Sequence, residues 1–403
     1  VEIFESWTLA GKTLRNRIIK TATFEGMCPG GKVTDRLIEF HRRHAEGGVA
    51  ISTVAYGAVS RDARTFNDQI VLEEENFDDL CRLTAAIRNE GAIASIQLAH
   101  AGGFTQASGR SSWVSKGPSG GLNTYGMMSG YPIAVPMSYA DMDRTVEDYG
   151  RAAALAKRAG FEALEIHMGH GYMISQFLSP ATNKRKDEYG GSLENRLRLP
   201  LRIVKAVRDA VGEDFPLLAK TNLSDGFKTG LQIDEAVEIA RALEAAGINA
   251  LVMSGGFVSK TPMYLFRGDS PLAEMVAAEK NLIRKWMLKL GGAQVFRPMK
   301  FEENYFRDQA LKVRAAVDMP LVLLGGVRTR ENMEEALGDG FQAVAMGRPL
   351  LHNPDLPNQI KSGMVGNGYC TNCNLCVGKM DTPEGVHCVL TGEPMGIQVT
   401  PAA

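Results

Sequence analysis

Eight short apolar runs, most of them followed by a stretch with helical spacing, restrict this chain more than any other feature of its sequence. They are Arg17–Thr21, Val49–Val54, Ile93–Leu98, Ala163–Met168, Pro216–Lys220, Ala250–Ser254, Pro320–Leu324 and Ala343–Met346. None alternates strictly between polar and apolar, so each reads as a strand buried on both faces, the mark of a parallel sheet covered by helices. Eight is the number that closes a barrel. The reading is an α/β fold, a TIM (β/α)8 barrel, with long insertions after strands 3 and 6 and a cysteine-rich C-terminal tail.

At 403 residues the chain exceeds one average domain, but one barrel with insertions accounts for the length. The boundaries expected are a barrel over 1–365 and an extension over 366–403 packed on it. Asp234 is placed to cap a helix whose Ala236, Val237, Ala240, Leu243 and Ala246 form one apolar face. Asp143–Arg158 and Leu193–Val211 read as helices too, the second with a break or kink at Pro200, which lacks an amide hydrogen. Residues 99–140, rich in Gly, Ser and Pro with Trp113, Tyr125, Met127 and Met128 interspersed, read as a long loop over the barrel mouth. Residues 255–303 form the second insertion, with one helix over Glu274–Leu290 and large apolar groups at Phe257, Tyr264, Phe266, Trp286 and Phe296. Both are expected to shape substrate access.

Charge excludes some partners. Lys plus Arg number 45 against 46 Asp plus Glu, and a net charge of −1 offers no broad field for nucleic acid or an anionic membrane. No apolar stretch approaches bilayer length and the first residues show no signal-like region, so a cytoplasmic homo-oligomer acting on a small molecule is expected.

Chemistry concentrates at strand ends, where barrels place it. After the fourth run, His167, His170 and Tyr172 emerge within six residues, interleaved with Gly169 and Gly171. Two neutral imidazoles can hold a carbonyl oxygen while a phenol gives a proton; a zinc site is the other use of two histidines, though no third ligand is evident. Gly325 and Gly326 end the seventh run and Gly347-Arg348 the eighth, the usual phosphate corner of a barrel. Gln97 and Lys220 end the third and fifth runs. A carboxamide can pair with an imide edge and an ammonium can stabilise electron-rich oxygen or nitrogen, and a flavin has both features.

The segments Asn16–Met27, Ile96–Gly103 and Glu165–Arg196, with the two glycine-rich ends, resemble the old yellow enzyme family of FMN-dependent NAD(P)H:flavin oxidoreductases. Within it the chain is similar to the branch that includes 2,4-dienoyl-CoA reductase. The resemblance implies an ene-reductase in which hydride passes from NAD(P)H to FMN and on to the β-carbon of an activated alkene, an enone, enoate or enoyl thioester. It places Thr21, Ala22 and Thr23 of the first strand and Gly57 or Ala58 of the second beside the flavin, Gln97 at its pyrimidine edge, and Lys220 near N1 and O2. Gly325, Gly326, Gly347 and Arg348 match the phosphate site, His167 and His170 the oxygen clamp, and Tyr172 the proton donor. Phe24 stands where the family often has Thr, Cys or His near flavin N5.

Cys370, Cys373, Cys376 and Cys388 resemble the cluster-binding segment of 2,4-dienoyl-CoA reductase and trimethylamine dehydrogenase, with one residue fewer between the second and third cysteines. Three states are open: a [4Fe–4S] cluster, a structural zinc, or thiols without metal. Two other functions also remain open, a flavin dehydrogenase or demethylase passing electrons through such a cluster to a partner, and a flavin-free barrel that binds a phosphorylated metabolite.

Overall fold

A computed structural model describes residues 2–123, 126–127, 130–366 and 368–391; Tyr125, Met128 and the last part of the extension lie outside the described residues. Eight strands form the barrel: β1 Ile18–Lys20, β2 Ile51–Ala58, β3 Ile93–Ala99, β4 Ala163–Met168, β5 Leu217–Asn222, β6 Ala250–Ser254, β7 Leu321–Leu324 and β8 Ala343–Met346. Each pairs in parallel with the next, and β8 returns to β1 to close the ring. β2, β4, β5, β6, β7 and β8 are buried at every position, which is why their sequences do not alternate.

The helices follow the sequence signals with instructive exceptions. Ser138 and Asp141 form a reciprocal capping box, so the helix expected from Asp143 begins at Tyr139 and runs to Arg158. The helix Leu193–Val211 has the expected bounds but no break: it runs through Pro200, whose ring is buried among Leu199, Ile203 and Val204. Gln232, rather than Asp234, occupies the cap position of Ile233–Ala245, and Asp234 instead sits in the first turn, where its charge suits the helix dipole. The single helix expected over Glu274–Leu290 is two, Leu272–Ala278 and Leu282–Val295. Asn281 divides them, because its side chain accepts from the Ile283 and Arg284 amides and so starts a new helix.

Residues 99–140 hold a small sheet of Ser115–Gly117, Gly121–Leu122 and Ile133–Pro136. Gln176 ties this insertion down, accepting from the Gly103 amide and donating to the Ala101 carbonyl. Behind the ends of β1 and β2, a buried network of Lys20, Glu25 and His41 fixes the backbone. Glu25 accepts from Lys20 Nζ at 3.0 Å and from the Ala55 amide at 3.0 Å, while Lys20 also donates to the Thr53 carbonyl. The extension is stitched to this corner, with the Val386 amide donating to the Glu25 carbonyl and the Gly368 amide to that of Arg328. Among the described residues no helix is long and apolar enough to cross a membrane.

Candidate active site

At the C-terminal end of β4 the chain turns sharply. His170 takes a left-handed backbone conformation, φ 62°, which a side-chain-bearing residue adopts only when held there. The holding groups are visible: the His170 amide donates to Asn222 Oδ1 at 3.0 Å, and its ring Nε2 lies 2.7 Å from Ser254 Oγ. Tyr172 then begins the short helix Met173–Leu178. The result draws three rings together, with centroids 5.0 Å apart for His167 and His170 and 4.7 Å for His167 and Tyr172. All three face one cavity at the barrel mouth.

Burial sets their protonation. It pushes His167 well below its ordinary value, aided by His170 and Lys220, and brings His170 down to about 3, aided by Lys220. Both imidazoles are therefore neutral near pH 7. A long contact from the Gly169 amide to His167 Nδ1, 3.5 Å, favours the tautomer with its hydrogen on Nε2. Burial raises the Tyr172 phenol, so it keeps its proton.

Below the rings lies a chain of polar groups. Gln97 Nε2 donates to Glu165 Oε1 at 2.6 Å, Lys220 Nζ pairs with the same oxygen at 3.0 Å, and Lys220 also donates to Thr21 Oγ1 at 2.8 Å. Glu165 was not among the expected site residues. The signal was present, since a carboxylate inside the apolar run Leu164-Glu165-Ile166 must be paired to be buried.

The opposite end of the cavity collects Gly325, Gly326, Gly347, Arg328 and Arg348. At Gly347 a Cβ would come within 3.3 Å of Thr21 Cγ2 and 3.4 Å of Thr23 Oγ1, narrowing the cradle between β8 and the end of β1. Arg348 is held in place by two acceptors, the Arg267 carbonyl at 2.9 Å and Asn374 Oδ1 at 2.6 Å. Asn374 is anchored in turn to the Phe266 and Asp269 carbonyls. An amide and an ammonium at one end, Thr21, Ala22 and Thr23 between, and glycine amides with guanidinium groups at the other make a donor set that fits FMN.

One expectation is corrected. Gly57 and Ala58 do not line the cavity: Gly57 packs against Ile96 and Leu72 instead. The β2 register shifts between Val54 and Gly57, and Tyr56 is the residue of this strand that faces inward. The wall is made by Phe24, Tyr56 and Phe66, by Val258, Met275 and Phe296 of the second insertion, and by Val377, Met380 and Asp381 of the extension, and Phe104 of the first insertion packs against Tyr172. Phe24 stacks on Phe66 at 4.5 Å and tilts against Tyr56 at 5.4 Å. Asp381 brings a carboxyl to this wall, raised to about 6 by desolvation against the pull of Arg284.

Cys370, Cys373, Cys376 and Cys388 line a second, small cavity that they share with Arg348. Asn372 and Asn374 are both left-handed, φ 60° and 59°, and reverse the chain within each two-residue interval. No disulfide forms, and His352 Nδ1 lies 3.3 Å from Cys388 Sγ. Among the described residues no three His, Cys, Asp or Glu side chains are drawn together as a single ion requires.

The chain is similar to known flavin oxidoreductases. The sequence profile of the NADH:flavin oxidoreductase / NADH oxidase family matches residues 2–261. The 4,4'-dithiodibutanoate disulfide reductase of Rhodococcus erythropolis is 42% identical over 391 residues, spanning 96% of this chain and 94% of that protein. The NADH oxidase of Thermoanaerobacter brockii is 27% identical over 392 residues, which is 93% of this chain but 53% of that protein, so the chain spans about half its length. Among solved structures, a 2-naphthoyl-CoA reductase in complex with 2-naphthoyl-CoA superposes with a TM-score of 0.79 at 25% identity, covering 99% of this chain and 57% of that one.

Proposed function

Since the chain belongs to the NADH:flavin oxidoreductase / NADH oxidase family, the old yellow enzyme family whose motifs it carries, we propose that its FMN-dependent NAD(P)H chemistry reduces the C=C bond of activated alkenes: enones, enoates or enoyl thioesters. FMN, when bound, supplies two-electron chemistry, accepting hydride from NAD(P)H and returning it to an electrophilic carbon. Gln97 and the Lys220–Glu165 pair would hold its polar edge, and Gly325, Gly326, Gly347 and Arg348 its phosphate.

The observation that carries the reading is the meeting of two neutral imidazoles and one protonated phenol on the same cavity, with the His170 and Tyr172 rings each within 5.0 Å of the His167 ring. His167 Nε2–H donates to the carbonyl oxygen of the substrate. With Ser254 donating to Nε2 of His170, the Nδ1–H of that ring is left for the same oxygen. Two such donors stabilise the negative charge that gathers on the oxygen as the alkene is attacked. Tyr172 then gives its hydrogen to the α-carbon. Phe24 and Phe66 supply a flat apolar wall suited to a conjugated, planar acceptor.

A second reading, reduction of a small organic disulfide, is favoured by one observation: the 42% identity to a disulfide reductase over nearly the full length of both chains. The tail cysteines belong to the same proposal. Four cysteines lining one cavity supply the donor set that either a [4Fe–4S] cluster or a zinc ion would use. Six unpaired cysteines also fit a reducing, cytoplasmic setting.

The test is turnover by FMN-loaded protein with NADH and NADPH against cyclic enones, enoates, enoyl thioesters and small disulfides. Consumption of an alkene with formation of the saturated product is expected. Activity confined to disulfides would replace the first reading by the second.

A further inference from the structure

The proton donor of the proposed reaction does not stand alone. Tyr56 Oη lies 2.7 Å from Tyr172 Oη, and the two rings tilt together with centroids 5.2 Å apart. Tyr56 is as buried as Tyr172, and its ring packs against those of Phe24 and His167.

Two phenols joined by one hydrogen bond carry two hydrogens, of which only one lies in the bond. The phenol that donates into the bond has none left for a substrate. If Tyr172 is the donor to carbon, the internal hydrogen must come from Tyr56. We propose that Tyr56 is a positioning residue: by donating to Tyr172 it frees the Tyr172 hydrogen for the α-carbon, and it holds the phenolate that remains after transfer. The proposal rests on the assignment of Tyr172 made above.

In the step itself the Tyr172 O–H bond breaks and a C–H bond forms at the α-carbon. The electron pair stays on Tyr172 Oη, and water later restores the proton. The hydride that precedes this step comes from NAD(P)H through the family's redox chemistry. At that moment the hydrogen bond from Tyr56 becomes charge-assisted, about twice as strong as a neutral one. Among the described residues, the rest of the surroundings give the phenolate little help. Burial and the Asp381 carboxylate from the extension both oppose its formation, while the Tyr56 bond favours it. His167, packed against the Tyr172 ring from β4, stays neutral. Phe104 meets the Tyr172 ring edge-on, centroids 5.6 Å apart.

Tyr56→Phe keeps the wall and removes the bond. The experiment replaces Tyr172 by a fluorinated tyrosine, which ionises at lower pH, and follows its ionisation by 19F NMR in FMN-loaded protein with Tyr56 or with Tyr56→Phe. The expected result is a midpoint raised by about 1 to 2 pH units when Tyr56 is lost. In the unlabelled protein, alkene reduction should slow about 10- to 100-fold. An unchanged midpoint would overturn the proposal. A shifted midpoint in a protein that reduces no alkene would support the pair and remove the assigned reaction instead.

Discussion

Replacing Tyr172 by phenylalanine deletes one oxygen and leaves the ring contacts with His167 and Phe104 in place. Its structural cost is small. The Tyr56 hydroxyl loses its 2.7 Å partner, but Tyr56 lines the cavity and water can replace the bond, so stability should fall by about 1 kcal/mol or less. Its chemical cost depends on the substrate. Protonation of the α-carbon of an enolate needs a positioned acid, and losing one typically costs about 10²- to 10⁴-fold in rate. A disulfide needs far less: hydride attack on one sulfur breaks the S–S bond, giving one thiol and one thiolate whose own pKa is about 8.5. Such a thiolate leaves unaided near neutral pH. Stopped-flow measurement of the two half-reactions separates these effects. Reduction by NAD(P)H should be unchanged, re-oxidation by a cyclic enone slowed about 100-fold or more, and re-oxidation by a small disulfide slowed by less than about 10-fold. Equal loss with both acceptors, or none with the enone, would refute the role given to the phenol.

The remaining expectations concern holding and stability. Arg348→Ala should weaken FMN binding about 10- to 100-fold by equilibrium dialysis, and Asn374→Ala should do so to a smaller extent, because Asn374 Oδ1 fixes the guanidinium at 2.6 Å. Glu165→Gln leaves the Lys220 ammonium, 2% exposed, without its carboxylate and should destabilise FMN-free protein by about 3–5 kcal/mol in denaturant titrations. Burial brings His100 from 6.5 down to about 3, and its Nδ1 accepts from the Gly102 amide. Below pH 6.5 the unfolded chain therefore binds a proton that the folded chain refuses, and stability falls with acidification down to about pH 3. His100→Asn should flatten that fall by about 1.4 kcal/mol per pH unit in denaturant midpoints measured across pH 4–6. An unaltered slope would show that His100 titrates normally in the fold.

Where physics leaves a local trace, the chain could be read. Strands enclosed by helices must be apolar throughout, so all eight barrel strands were legible from runs such as Ala163–Met168 and Ala343–Met346. The residues at their ends inherit their positions from the barrel, which is why His167, Gln97, Lys220 and Arg348 could be anticipated together on one cavity. What escaped depends on distant pairing. The shift within β2 that turns Tyr56 inward and Gly57 outward arises from register against β3, and no residue type announces it. Phe66, Met380 and Asp381 reach the cavity from loops whose course is set by tertiary contacts, among them the Val386 bond to Glu25. Composition alone assigned 99–140 to the mouth, and it did not announce the bonds to Gln176 that hold this segment there.

The central claim is that one cavity at the barrel mouth is shaped for FMN by Gln97 and Lys220 at one end and by Gly347 and Arg348 at the other. The direct measurement is the visible absorption spectrum of the purified protein after incubation with FMN and removal of free flavin, with the released chromophore identified. Retention of about one FMN per folded chain is predicted. A folded protein that retains no flavin would contradict the account at its foundation.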